Sequence, residues 1–346
     1  MIYLSCDYHH GAHPKIMERM NQCNMEPNTG YGEDPHCAHA AQMIKDLCQD
    51  QSVAVHFMVG GTQTNTTIIA AALRPHQGVV TAVSGHINNH ESGAIESTGH
   101  KVIGLPSDDG KLSAAQIHEY YLAHKQNESY EHIVMPKMVY ISNPTEFGSI
   151  YSKAELEEIS RVCHEDGLYL FMDGARLGYG LMSPENDLDL PVITKCCDVF
   201  YIGGTKCGAL FGEAVVITNP SLKEDFRFIL KQRGGMLAKG WLLGIQFETL
   251  FEDGLYFEIC KHAVDQAMRI KKAFESKGVA FQVDSPTNQQ FAMLTADVIR
   301  KFDEKYATCD DEKPTGKAVR SVRFCTSWAT DPAEVDELIK DIEAWC

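Results

Sequence analysis

One lysine, Lys206, lies in the stretch Tyr201-Ile-Gly-Gly-Thr-Lys-Cys-Gly-Ala-Leu-Phe-Gly212, among Gly203, Gly204, Gly208 and Gly212. The apolar run Val199 to Ile202 precedes it and a second, Ala214 to Ile217, follows, so the pattern predicts strand, tight loop, strand. Glycines there let backbone approach a ligand closely. A lysine amine is a strong nucleophile only when neutral, and desolvation or a neighbouring cation lowers its pKa toward Schiff-base chemistry. The competing reading is a surface lysine in a Gly-rich hairpin, and the lysine alone does not choose between them.

Two further stretches bear on the choice. Gly60-Gly-Thr-Gln-Thr-Asn65 follows the strand-like Val53 to Val59 and leads into Thr66 to Leu73. A Gly-rich turn at a helix N-terminus presents unpaired backbone N–H groups and a favourable dipole, which suits a phosphate. It matches neither the dinucleotide fingerprint nor a Walker loop, and its plainer reading is an N-capping turn by Thr62. Phe171-Met-Asp-Gly-Ala-Arg-Leu-Gly178 sets Asp173 and Arg176 just past a buried apolar strand. In an open α/β sheet the carboxyl ends of the strands line the ligand crevice, although an ordinary Asp–Arg pair would also fit the pattern. A carboxylate can hold a pyridine nitrogen protonated, and an arginine, always charged, fixes an anionic group. A phosphate turn, a strand-end aspartate and a loop lysine are together the parts of a pyridoxal 5'-phosphate site.

The elements around these stretches alternate. Apolar β-like runs at Val53 to Val59, Val79 to Val83, Val102 to Leu105, Met138 to Ser142, Leu168 to Met172 and Val199 to Ile202 are separated by stretches of helical periodicity. That order predicts an α/β domain on a largely parallel sheet. Before it, Met1 to Pro14 reads as polar and irregular, followed by helices at Lys15 to Cys23 and Ala38 to Gln49. After about Arg233 the character changes to long helical periodicity over Met236 to Ser276. Short β-like runs then appear at Val279 to Val283, Gln290 to Leu294 and Val319 to Thr326, with helices at Ala296 to Tyr306 and Pro332 to Trp345 and a charged loop at Thr308 to Lys317. The chain therefore divides into a large α/β domain, residues 1–235 with an arm over 1–20, and linking helices with a smaller α+β domain over 236–346.

Composition excludes several partners. The net charge, 31 − 47 = −16, repels nucleic-acid phosphates and anionic lipid. The apolar runs fall far short of the roughly 20 residues that span a bilayer, and Met1 to Gly11 carries Asp7, His9 and His10 in place of a signal-peptide core. A cytoplasmic protein is expected, and its 12 scattered cysteines then read as free thiols. Cys6, His9, His10 and His13 lack the second ligand cluster a structural zinc site needs, so no metal is expected.

Over nearly its whole length the chain resembles the threonine aldolase and β-eliminating lyase family of fold-type-I pyridoxal phosphate enzymes. The matching stretches are Tyr31-Gly-Glu-Asp-Pro35, Gly60-Gly-Thr62 with Asn65, His86 with Glu91 and Gly93, Asp173-Gly-Ala-Arg176, Lys206, and Arg323-Phe-Cys-Thr-Ser-Trp328. The resemblance implies an aspartate aminotransferase type I large domain and retro-aldol cleavage of L-threonine or L-allo-threonine to glycine and acetaldehyde. It implies that His86 stacks on the cofactor ring, that Gly61 and Thr62 hold the phosphate with help from Thr205, and that Arg176 and Arg323 grip the substrate carboxylate. It also puts Tyr31 near the substrate at the subunit boundary of a homodimer or homotetramer, where Arg233 or Lys239 reaches a neighbouring phosphate. Two stretches depart from the family pattern. Cys6-Asp7-Tyr8 stands where many threonine aldolases have Ser-Asp-Thr, which puts Cys6 in the substrate position of a serine. Ser142-Asn143-Pro144-Thr145 replaces Glu-Asn-Thr-His, so a histidine for the substrate hydroxyl is missing there; His86 is the remaining local base, with His90 behind it. Two rivals stay open: β-elimination or transamination of another small amino acid, and a binding protein without turnover.

Overall fold

The computed structural model describes residues 1–310 and 316–346; part of the charged loop expected at Thr308 to Lys317 lies outside the described residues. The strands in chain order are β1 (Ile2–Tyr3), β2 (Ala54–Met58), β3 (Gln77–Ala82), β4 (Val102–Leu105), β5 (Met135–Ser142), β6 (Tyr169–Asp173), β7 (Val199–Gly203), β8 (Glu213–Ile217), β9 (Gln289–Thr295), β10 (Tyr306–Ala307) and β11 (Val319–Cys325). Seven of them form one sheet in the order β2-β8-β7-β6-β5-β3-β4. Strand β8 runs antiparallel to both neighbours, β2 and β7, while the other pairings are parallel, so the largely parallel sheet expected from the strand–helix alternation is found.

The strands read as unbroken apolar runs because both faces of the sheet are covered. In β5, Val139 and Ile141 enter one buried cluster, and Met138 and Tyr140 enter the other. The same alternation separates Phe200 and Ile202 from Val199 and Tyr201 in β7, and Ala214 and Val216 from Val215 and Ile217 in β8. Side chains on successive residues point to opposite faces, so a strand between two helical layers needs no polar position until it ends. The polar residues accordingly gather at the ends.

Register decides which of them meet. Ser142 pairs with Asp173, and Glu213 pairs with both Gly203 and Met58. The carboxyl ends of the parallel strands thus share one sheet edge with the first residue of the reversed strand β8. Downstream, the helices Trp241–Phe251 and Leu255–Ser276 lead to the antiparallel pair β9–β11, with the helices Ala296–Asp303 and Pro332–Trp345. The β-like run at Val279 to Val283 forms no strand: Phe281 makes a single bridge to Ala292, and Gln282 and Ala280 bond only to Phe291 and Met293. The Met1 to Pro14 segment is less irregular than its polarity suggests. Strand β1 pairs in parallel with β10, and Ile2 and Leu4 are buried with Phe274, Phe302 and Phe324 in the carboxyl-terminal core. Among the described residues no helix is long and apolar enough to cross a membrane.

Candidate active site

A cavity of about 830 Å³ opens at the shared sheet edge, lined by Lys206, Asp173, Arg176, Arg323, His86 and Glu213 among others. Gly61, Thr62 and Thr205 line it too, so most residues singled out in the sequence converge here. Cys6 and Tyr31 do not line it. Tyr8 does, two residues along from Cys6, while Tyr31 faces a separate small cavity beside Arg227 and Met236. Lys239 is exposed, and Arg233 is half-buried with its Nε unpartnered among the described residues; neither lines the larger cavity.

Lys206 stands on a loop whose backbone is tied down. The Gly204 and Thr205 N–H groups both donate to Gly212 O at 3.0 Å, and the Tyr179 hydroxyl donates to Lys206 O at 2.5 Å. The flanking glycines serve the protein's own backbone. A Cβ on Gly203 would lie 2.3 Å from Ala175 O, and Gly212 adopts φ +119°, a region only glycine enters freely. Desolvation lowers the Lys206 pKa, the charge of Arg176 lowers it further, and Asp7, Asp173 and Glu213 oppose them. The balance favours a neutral amine more than water does.

Asp173 ends β6 with its carboxylate held by neutral donors. Oδ2 accepts from the Tyr140 hydroxyl and from Asn65 Nδ2 (3.3 Å), and Oδ1 accepts from the Ala175 N–H at 2.9 Å. Burial, then the Asp173 charge, raises the pKa of Tyr140 and Tyr201 well above that of a free phenol, which keeps both as donors. Among the described residues no cationic side chain pairs with Asp173. Next to it, Gly174 is fixed by close approach, since a Cβ there would lie 1.9 Å from Tyr201 O. Gly174→Ala should therefore part the end of β6 from β7 and destabilise the protein by about 1–3 kcal/mol or more, read as a lower melting temperature. A variant that melts with the wild type would show that the two strands separate freely.

The helix Gly61–Ala72 begins at the cavity, and its N-cap, Gly60, makes no side-chain cap bond. Thr62 does not cap it either; the first helical bond runs from Thr64 N to Gly60 O at 3.0 Å. The N–H groups of Gly61 and Thr62 have no acceptor among the described residues, which leaves them for an anion. Thr205 is more committed. Its hydroxyl donates to Glu213 Oε1 at 2.8 Å and accepts from the Gly212 N–H at 2.9 Å.

His86 starts the short helix His86–Asn89 after β3. Its Nδ1 lies 2.8 Å from Glu91 Oε1, which also accepts from Asn65 Nδ2 at 2.7 Å. A carboxylate oxygen only accepts, so the neutral ring carries its proton on Nδ1. The chain Asp173–Asn65–Glu91–His86 therefore links the strand-end acid to the imidazole.

The two arginines are held differently. Arg176 makes a two-point contact with Asp7, Nε to Oδ2 at 2.7 Å and Nη2 to Oδ1 at 3.0 Å. Burial opposes ionisation of Asp7, but Arg176, Lys206 and the Asn288 side chain hold its pKa below the usual carboxylate value. Arg323 lines the cavity wall and is anchored through neutral oxygens, Ser5 O at 2.7 Å and Gln289 Oε1 at 3.3 Å, with no carboxylate paired to it among the described residues.

Sequence reasoning passed over Asp7, Glu213 and Glu146 as site residues. Glu213 is buried at the start of β8, and burial raises its pKa to about 8 against the bond from Thr205 and the charge of Lys206. A charged residue opening an otherwise apolar strand was the available signal.

A model of the beta-eliminating lyase family matches residues 4–319 of the chain. The low specificity L-threonine aldolase of a Pseudomonas species is 30% identical over 98% of this chain and 96% of its own. The solved threonine aldolase of Leishmania major superposes with a TM-score of 0.96 at 45% identity, covering 99% of both chains. An aspartate aminotransferase of Thermus thermophilus, 12% identical with a TM-score of 0.73, shares the fold alone. The chain belongs to the beta-eliminating lyase family, built on the fold of the aspartate aminotransferases.

Proposed function

We propose that the protein is a pyridoxal phosphate-dependent aldolase that cleaves L-threonine or L-allo-threonine to glycine and acetaldehyde. The observation that carries the cofactor is Asp173, a buried carboxylate facing the cavity whose donors among the described residues are all neutral. Such a group asks for a cation, and a protonated pyridine nitrogen supplies one. Pyridoxal phosphate, when bound, supplies an electron sink for the bond broken at Cα. Full-length likeness to threonine aldolases of Pseudomonas and Leishmania supports the choice of that bond.

This chain's residues then have distinct tasks. Lys206 Nζ, whose charged form burial disfavours, would hold the cofactor and would carry protons at Cα. The Gly61 and Thr62 N–H groups would hold the phosphate, and Thr205 keeps the lysine loop closed onto Glu213. The His86 ring, oriented by Glu91, lines the cavity and would lie beside the cofactor. Arg323 would bind the substrate carboxylate, and Arg176, its charge shared with Asp7, would add a second donor from the same cavity lining. A carboxylate held at two points fixes which Cα bond is aligned to break, and that orientation becomes rate. Tyr8, Phe147 and Phe291 wall the cavity and limit water.

Acetaldehyde released from both substrates by the loaded protein tests this reading. Acetaldehyde from either is the expected result. Its absence, with pyruvate formed from serine or cysteine, would assign β-elimination instead.

A further inference from the structure

The loop after β5 brings a second carboxylate into the cavity, one with no task so far. Glu146 Oε1 accepts the His86 backbone N–H at 2.9 Å and the Ser142 hydroxyl at 2.7 Å. Two donors on one oxygen fix the side chain, and Oε2 bonds to no other residue among those described. Glu146 lines the cavity together with Lys206 and Arg323. The residue before it turns away: the Thr145 hydroxyl donates to Asp109 O at 3.0 Å and meets Ser149 Oγ at 2.7 Å, and Thr145 is buried. The histidine missing from the Ser142 to Thr145 stretch therefore does not leave the cavity short of a proton acceptor.

We propose that Glu146 is the base for the substrate's β-hydroxyl, taking its proton on Oε2; this rests on the threonine-cleaving reading. The O–H electron pair becomes the second bond of the aldehyde carbonyl, the Cα–Cβ bond breaks, and its pair leaves with the glycine fragment. Cα then takes a proton from Lys206 Nζ in its ammonium form, leaving the amine. Water reprotonates the Lys206 amine as Glu146 gives its proton to water, so threonine balances glycine plus acetaldehyde. His86 is the rival, since with Nδ1–H given to Glu91 its Nε2 can accept. Glu146 has two advantages. It is held in one orientation by its neighbours, and burial raises its pKa above the usual carboxylate range against Ser142 and the charge of His86, with Asp173 adding to the rise. A base whose pKa approaches the working pH holds and releases a proton with least cost to either step.

The test uses the loaded enzyme and two reactions. Cleavage of L-threonine needs the hydroxyl proton removed; exchange of the glycine α-hydrogen in D2O does not. Glu146→Gln should lower cleavage about 10²–10⁴-fold, leave glycine exchange at the wild-type level, and leave the cofactor absorbance and melting temperature unchanged. Glu146→Asp should recover part of the loss. A base works ionised, so kcat/KM falls as pH drops through its pKa. Of the groups facing it, His86, Asp173, Tyr140 and Tyr151 remain in the glutamine variant, so the part of the acid limb due to Glu146 should vanish there. Wild-type cleavage by Glu146→Gln, or equal losses in cleavage and exchange, would overturn the assignment. No acetaldehyde from the wild type while glycine exchange proceeds would overturn the threonine reading itself, and with it this step.

Discussion

Lys206→Ala protein, loaded with pyridoxal phosphate and given L-threonine, should release acetaldehyde at least about 10²–10⁴-fold more slowly than wild type. The same variant should lose added cofactor on dialysis, because its amine attachment is gone. The loss will be chemical, not structural. The loop is held through backbone atoms, by Gly204 and Thr205 on Gly212 O and by Tyr179 on Lys206 O, none of which the substitution removes. Burial already weighs against the charged amine, so the fold gains little from it. The far-UV circular dichroism should match wild type, and a small exogenous amine should restore part of the rate. A variant that keeps wild-type cleavage would remove Lys206 from the chemistry and leave the cavity without a nucleophile for the cofactor.

How much of this was legible in the sequence depended on whether a residue's place follows from its neighbours. The strands of the central sheet were legible because burial on both faces leaves a continuous apolar run; Asp173 follows such a run directly, and Lys206 stands in the glycine-rich loop after another. Glu213 follows no such rule. It reaches the site because β8 runs against β7, a direction the short loop between the two runs implied, but the sequence did not say which loop-end residue would face the cavity. Asp7 meets Arg176 across 169 residues, through an arm whose few apolar residues, Ile2 and Leu4, gave little hint that it folds onto the carboxyl-terminal core. The difference between Thr145 and Glu146 is subtler. In a loop, successive side chains follow no period, so which of the two enters the cavity waits on the hydrogen bonds to Asp109 and to His86. The run at Val279 to Val283 has strand character and reaches the second edge of β9, but it holds that edge only over Ala280 to Gln282, with a single bridge from Phe281 to Ala292.

The two arginines look interchangeable as carboxylate ligands, yet their removal should have different results. Arg323→Ala takes away a cation anchored on the neutral oxygens of Ser5 and Gln289, so no buried charge is orphaned. Its main effect should be on substrate: a charge-assisted bond worth about 1.5–3 kcal/mol is lost, which raises KM with little change in melting temperature. Arg176→Ala should reach further, because Asp7 is 1% exposed and would keep only the Asn288 side chain among its present side-chain bonds. Removing one partner of a buried pair costs about 3–5 kcal/mol, and the melting temperature should fall accordingly at neutral pH. The sign of the pH dependence follows from Asp7. In the wild type its pKa is held below the unfolded value, so the pair stabilises the fold above that value and the benefit fades as pH falls through the folded pKa. In the variant, burial without Arg176 raises the pKa instead, and protonation relieves the strain. The gap in melting temperature between wild type and Arg176→Ala should therefore be widest near neutrality and narrow toward pH ~4. A gap that stays constant over that range would mean that Arg176 stabilises the fold by packing rather than by its charge on Asp7.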